Sequence, residues 1–143
     1  MTGSWQLAAF AHLSSAVLLV GYALFWAIMA LALARDGQPE EVERRLGVLA
    51  AARWPHVLVP LRWRLPLPIV GWLLFAAAAG TGMLAGALSG LQARGPAFWL
   101  KIAAVGLLVA VHARLARRPH PVWALAGLPL ALVAVVFSVP LLR

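Results

Sequence analysis

The sequence predicts an all-α integral membrane protein, a single membrane domain (1–143) whose four transmembrane helices form an up-down-up-down bundle. Hydrophobic residues make up 64% of the chain and charged residues 11%, whereas charged residues are about 25% of a typical soluble domain. A soluble chain of 143 residues cannot hide so much apolar surface in its core. The lipid bilayer is therefore expected to surround most of the protein. The chain has no cysteine, which excludes disulfides and thiolate metal sites.

Four apolar segments are long enough to cross a bilayer, for which a helix needs about 20 mainly apolar residues. They are residues 5–34, 67–91, 97–116 and 121–142. Proline and glycine interrupt the chain between them, and the last two connections are short, which favours antiparallel neighbours. We expect no cleavable signal peptide, because the opening MTGSW has no basic residue and the apolar run after it is too long.

The basic residues predict which way the bundle faces. The first loop (35–66) carries six arginines: Arg35, Arg44, Arg45, Arg53, Arg62 and Arg64. The third loop carries three: Arg114, Arg117 and Arg118. Positive residues gather in cytoplasmic loops, so both loops are predicted to be cytoplasmic and both termini to lie outside, in a cell (inner or plasma) membrane. The net charge of +8 is then explained by the basic residues of the cytoplasmic loops. No nucleic-acid partner is therefore expected.

The first loop predicts a helix of its own. Pro39 and three glutamates precede a pair of arginines, which is the charge order that the helix dipole favours. Val42, Leu46 and Leu49 repeat at helical spacing. These features predict a short amphipathic helix on the inner membrane surface. The proline-rich stretch 54–68, with its two tryptophans, is expected at the level of the lipid headgroups.

The first predicted span contains His12, followed at helical spacing by Ser15, Leu19 and Tyr22. Because this spacing defines one helix face, His12, Ser15 and Tyr22 are expected to face the bundle interior. Ionisable groups within a span are costly and indicate function. Neutral imidazole binds iron, copper or zinc, and four-helix bundles hold haem between facing helices. The alternative is an imidazole that only hydrogen-bonds across helices.

The third predicted span carries Lys101 and His112, eleven residues apart. Eleven residues are almost three turns, so both side chains project from one face, about 16 Å apart along the axis. Lys101 is either a site residue or a lysine that extends to water near the outer edge. His112, close to an arginine cluster, is either a ligand or an interfacial histidine. His56 and His120 flank prolines in loops and are expected to be solvated.

The second predicted span offers small residues instead of ionisable ones. Gly82, Gly86 and Gly90 form two overlapping G-x-x-x-G steps, a face that lets another backbone, or a flat macrocycle, approach closely. The sequence has no Ser-His-Asp set, P-loop or H-E-x-x-H motif, and all four acidic residues lie within 36–43. A proton-driven transporter would therefore have no carboxylate within the predicted spans.

Three short motifs resemble those of the HemJ-type protoporphyrinogen oxidases and the related CopD-type membrane proteins. The first is an early intramembrane histidine, in A-H-L at 11–13, with Gly21 beyond it. The second, F-W-L-K at 98–101 with His112 eleven residues after the lysine, is similar to the HemJ pattern W-L-x-K with a following histidine. The third, E-R-R-L at 43–46, looks like the E-R-R-L before that family's second span. The chain departs from the HemJ pattern at the end of the first span, where L-P-R is absent.

This resemblance implies a b-type haem, with His12 the best-matched ligand and Lys101 and His112 the next candidates. It also implies a protein that oxidises a porphyrinogen or passes electrons. With both termini outside, His12 lies about 8–10 Å below the outer edge of its span and His112 about 21 Å below its own. Two axial ligands of one iron must lie level. The depths therefore predict a site at His12 and Lys101, with His112 as a separate or a non-functional group.

A function of a different class fits the same sequence. A small protein with a glycine-rich span and very little mass outside the bilayer is also typical of a non-catalytic transmembrane subunit. Such a subunit packs against its neighbours in a homo-oligomer or in a larger respiratory or transport complex.

Overall fold

The computed structural model describes residues 2–51, 53–54, 65–89 and 95–137, and within them the fold is helical. The helices are α1 (Thr2–Asp36), α2 (Pro39–Ala51), α3 (Leu67–Ser89), α4 (Gly95–Arg117) and α5 (Pro121–Val136). Two short strands, β1 (Arg53–Trp54) and β2 (Leu65–Pro66), pair antiparallel just before α3. The prediction of an all-α membrane protein is confirmed at this level.

Among the described residues, three helical segments are long and apolar enough to cross a bilayer: Gly3–Arg35, Leu67–Leu88 and Phe98–Arg117. The fourth predicted span (121–142) corresponds to α5, which has 16 residues and is shorter than the about 20 that a span needs. The rest of that predicted span, from 138 onwards, lies outside the described residues, as do residues 90–91 at the end of the second. Length and composition thus support three of the four predicted spans.

Two apolar clusters, one at each of two levels, give the relative directions of the four long helices. One cluster takes a residue from each of them: Leu19, Phe75, Leu108 and Ala131. The second cluster lies further along the bundle and also contains a residue from each of these helices: Trp26, Leu67, Leu115 and Ala124. From the first cluster to the second, residue numbers rise in α1 and α4 and fall in α3 and α5. The helices therefore alternate in direction, as their short connections predict.

The helices do not pack equally against one another. Helix α1 packs along both α3 and α5, and α4 packs along α5, whereas α3 and α4 meet only loosely. We call this loosely packed line the α3–α4 seam. Two ionisable side chains of α4 contact other helices beside it. Lys101 contacts His12 of α1, and His112 contacts the first turn of α3 across the seam. The seam therefore positions the ionisable groups that the sequence places inside the spans.

Helix α2 is amphipathic as predicted, but its apolar face meets protein where lipid was expected. Val42, Leu46 and Ala50 are buried in the same cluster as Trp26 of α1 and Leu67 of α3. Their spacing of four residues makes a stripe narrow enough to fit among the ends of the long helices. The apolar face of α2 therefore packs on the bundle, which the sequence did not predict, because hydrophobic periodicity shows that a face is buried and not against what.

The outer face of α2 is held by ion pairs. The carboxylate of Glu41 accepts hydrogen bonds from Arg44 Nε at 2.7 Å and from Arg45 Nε at 2.6 Å. These hydrogen bonds, from Arg44 first and then Arg45, lower the pKa of Glu41 from 4.5 to about 2. Because the folded-state pKa is depressed, the contribution of these pairs is present above pH 4.5 and is lost as the pH falls towards 2.

Shortening the side chain at the centre of the buried apolar stripe of α2 should destabilise the protein. Leu46 is fully buried, so Leu46→Ala is expected to lower the free energy of unfolding by about 2–5 kcal/mol through lost burial and the cavity left behind. Val48, 65% exposed on the same helix, supplies the control Val48→Ala, which should change little. Thermal unfolding in detergent measures both, and equal melting temperatures for the two variants would contradict the packing of α2 on the bundle.

Candidate functional site

His12 is held in one orientation by a backbone carbonyl of the neighbouring helix. Its ring nitrogen Nδ1 lies 2.9 Å from the carbonyl oxygen of Ala78 in α3. A carbonyl can only accept a hydrogen bond, so we assign the ring proton to Nδ1. The second nitrogen, Nε2, then carries a free lone pair. The carbonyl thus fixes both the tautomer and the direction in which the imidazole can act as a base or a ligand.

Lys101 lies directly in front of that lone pair. Its Nζ is 3.3 Å from His12 Nε2, so the ammonium group donates to the imidazole. The side chain is partly buried and turned into the bundle, which does not fit a lysine that simply extends to water. The structure thus places Lys101 level with His12, as the depth estimate from the sequence predicts. All four acidic residues of the chain lie within 36–43, so no carboxylate in the spans balances this charge.

Ser15 belongs to the same layer but serves the packing of α1 on α3. Its hydroxyl donates to the carbonyl of His12 at 2.9 Å and lies 3.2 Å from the hydroxyl oxygen of Thr81. Thr81 in turn donates to the carbonyl of Ala77 at 2.7 Å. Both hydroxyls therefore donate their hydrogen bonds to carbonyls of their own helices, beside the imidazole. The sequence analysis missed Thr81, although a lone threonine in an apolar, glycine-rich span was a signal for it.

Gly82 lets the imidazole lie against α3. A Cβ at this position would come within 2.8 Å of His12 Cε1, closer than atoms can pack. At Gly82, the glycine face predicted from the sequence therefore packs against the side chain of His12. A Cβ on Gly86 would meet open space, and Gly90 lies outside the described residues. The expectation of a continuous backbone-packing face through Gly86 is therefore wrong within one chain.

His112 lies in a second layer, surrounded by aromatic rings. It is 4% exposed, which excludes an interfacial, solvated histidine. Its Nε2 donates to the carbonyl of Pro68 at 3.1 Å. The ring centroids of Trp72, Phe75 and Tyr22 lie 4.8, 5.3 and 5.6 Å from that of the imidazole.

Tyr22 belongs to the layer of His112, although the sequence groups it with His12. Its hydroxyl donates to the carbonyl of Leu67 at 3.1 Å. Tyr22 shares a helix face with His12, but ten residues of α1 separate them, which is about 15 Å along the axis. A cofactor site at His12 therefore does not include this hydroxyl directly. The same distance means that His12 and His112 do not bind one metal ion together.

Of the other two histidines, His56 and His120, the structure describes His120. His56 lies outside the described residues. His120, expected to be solvated, has a side chain that is 41% exposed and also caps α5, because its Nδ1 accepts from the backbone N–H of Val122 at 3.2 Å. Its Nε2 lies 3.1 Å from Glu43 Oε1. One tautomer, with the proton on Nε2, satisfies both contacts.

No metal site made of protein ligands alone is formed by the part of the chain that the structure describes. Within it, no three His, Cys, Asp or Glu side chains converge. The metal-binding roles predicted for His12 and His112 would therefore each rest on a single imidazole, with the remaining ligands supplied by something else.

Comparisons with protein families, curated proteins and solved structures found no match to this chain. The resemblance to the HemJ and CopD groups rests on the sequence motifs themselves.

Proposed function

We propose that this protein is a haem b-binding membrane protein with a redox function, and that His12 is the axial ligand of the iron. The observation that carries the proposal is the tethered imidazole, with Nδ1 held by the Ala78 carbonyl at 2.9 Å and the Nε2 lone pair directed away from it. Metal-ligating histidines characteristically donate their other ring N–H to such a carbonyl, which orients the ring and raises its basicity.

Haem fits this donor set better than a bare metal ion does. A structural zinc ion requires four ligands, mostly from the protein, and no three suitable side chains converge among the described residues. Haem brings four nitrogen ligands and requires one axial side chain. A single imidazole is what the layer of His12 provides, held against α3 where Gly82 has no side chain.

Lys101 supplies the charge that an anionic cofactor needs. A cation inside a span is costly unless it is paired, and the spans contain no carboxylate. A haem propionate, or the carboxylate of a porphyrin substrate, would supply the missing partner. The lysine side chain has enough rotatable bonds to leave Nε2 for such a group while staying in the same layer.

Bound haem would supply one-electron redox chemistry, either for oxidation of a porphyrinogen or for passing electrons at the outer membrane face. The residues of the chain have simpler tasks. Ala78 and Gly82 hold the His12 ring in one orientation. Ser15 and Thr81 lie in contact beside it, where α1 meets α3. Lys101 would pair with the carboxylate.

The proposed topology has four spans, with α5 and the residues after it completing the fourth. It is supported by the alternating direction of the helices and by the arginines at the shared end of α4 and α5. Both termini then lie outside the cytoplasm, as the positive-inside rule requires. The membrane proposed for the protein is the cell inner membrane.

The orientation has a direct test. Reporter fusions at Arg143 and within 38–45 should report opposite sides of the membrane, the second of them cytoplasmic, because nine of the twelve basic residues lie in the first and third loops. A cytoplasmic C-terminus would reverse the orientation and place His12 near the inner surface.

The function is tested by purifying the wild-type protein from haem-replete cells. We expect a Soret band and about one haem per chain, as one axial imidazole per chain requires. Protein that is folded and free of haem under these conditions would overturn the proposal. It would favour the non-catalytic subunit of a larger respiratory or transport complex.

A further inference from the structure

At the end of the bundle away from His12, the structure forms an open cleft with a volume of about 720 Å³. It lies where α2, the end of α4 and the start of α5 come together. Its polar side chains are Glu43, Arg114, Arg117, Arg118 and His120. The volume is within the range of sites that bind small ligands, about 300–1,000 Å³.

The cleft carries an excess of positive charge that the protein does not neutralise. Arg114, Arg117 and Arg118 make no ion pair with any carboxylate among the described residues. The carboxylate that lines the cleft, Glu43, is engaged by His120 at 3.1 Å. On the outer face of α2, by contrast, Arg44 and Arg45 are both paired with Glu41.

The guanidinium groups, and not the helix terminus, are the donors that remain for a ligand. Helix α5 begins at the cleft, but His120 already occupies its first backbone N–H groups. Its ring accepts from Val122, and its carbonyl accepts from Trp123 at 3.1 Å and from Ala124 at 3.2 Å. The three arginines are spaced i, i+3 and i+4, so they project from neighbouring positions around one turn.

We propose that this cleft binds a phosphate group at the membrane interface, held by Arg114, Arg117 and Arg118. Guanidinium binds phosphate oxygens bidentately and is preferred over ammonium for this purpose. The cleft lies at the end of the Phe98–Arg117 span, at the depth where lipid phosphates lie. Basic pockets between helix ends at the cytoplasmic surface bind anionic lipid headgroups. The same chemistry would accept a soluble phosphate, so the test separates the two sources.

The test uses the full chain and two probes. Native mass spectrometry counts the cardiolipin molecules retained from nanodiscs that contain cardiolipin in phosphatidylcholine, and calorimetry measures inorganic phosphate binding in a neutral detergent. Arg117→Gln and Arg118→Gln should each weaken binding about five-fold, the equivalent of about 1 kcal/mol per basic side chain. Arg117→Lys should be weakened less, since it keeps the charge and loses the bidentate geometry. Glu43→Gln should tighten binding, because it removes the opposing carboxylate.

The matched control is Arg44→Gln, which removes the same charge from the face where Glu41 is the partner. It should leave binding of either probe unchanged. Retention of cardiolipin without binding of inorganic phosphate assigns the site to a lipid, and saturable phosphate binding without a lipid preference assigns it to a soluble ligand. An equal loss in Arg44→Gln and Arg117→Gln would overturn the proposal, as would the absence of binding by both probes.

Discussion

Replacing His12 with alanine is expected to lower the haem content of the purified protein at least about ten-fold and to abolish the reduced b-type spectrum. Loss of a partner that merely orients a ligand already costs 10- to 100-fold in affinity, and loss of the ligand itself should cost more. No other described imidazole lies in the layer of His12, so none can replace it. Haem per chain and the reduced-minus-oxidised spectrum measure the effect.

The control for this experiment is the other buried histidine. His112→Gln keeps a side chain that can donate to the carbonyl of Pro68, and it should retain haem because His112 lies about 15 Å from His12 along the bundle. His112→Ala should retain haem as well, with lower stability, and His120→Ala should not alter the spectrum. An equal loss of haem in His12→Ala and His112→Gln would contradict the assignment of the iron to His12 alone.

Adding one methyl group at Gly71 is expected to destabilise the protein by about 1–3 kcal/mol, the usual effect of overpacking a core. A Cβ there would overlap Cε1 of His112 and come within 2.8 Å of Tyr22 Cζ. The imidazole cannot easily move away, since its Nε2 is bonded to Pro68 and its faces and edges contact Trp72 and Phe75. Thermal unfolding of Gly71→Ala in detergent checks this prediction.

The matched control lies on the same helix. A Cβ at Gly80 meets open space, so Gly80→Ala should be neutral or should stabilise the protein by up to about 1 kcal/mol, because alanine is the better helix former. Gly71→Ala should still bind haem, since the affected layer is not that of His12. Equal stabilities of the two variants would show that the His112 layer is loosely packed.

Much of the fold could be predicted because hydropathy and charge act locally. A run of apolar residues specifies a helix long enough for lipid whatever its neighbours are, and the described part of the chain contains three such helices. Helical rise also predicted that Lys101 lies level with His12, since depth along a span depends only on residue count. The structure gives the pair a separation of 3.3 Å.

The rest could not be predicted because it depends on which helices are neighbours. Periodicity assigned Tyr22 and His12 to one face but could not show that their partners on α3 differ. It identified the apolar stripe on α2 without revealing that Leu46 packs beside Trp26. The contact of His120 Nε2 with Glu43 joins the start of α5 to α2 and has no sequence signal at all. Such contacts follow from the order in which the helices pack around α1.

The central claim is that one imidazole, that of His12, binds the iron of one haem per chain. Electron paramagnetic resonance of the ferric wild-type protein tests it most directly, since spin state reports the axial ligands. The next described imidazole that faces the bundle interior lies about 15 Å away, so the account predicts one haem per chain with high-spin iron and a single histidine ligand. A low-spin signal typical of two histidine ligands, or folded protein without haem, would contradict it.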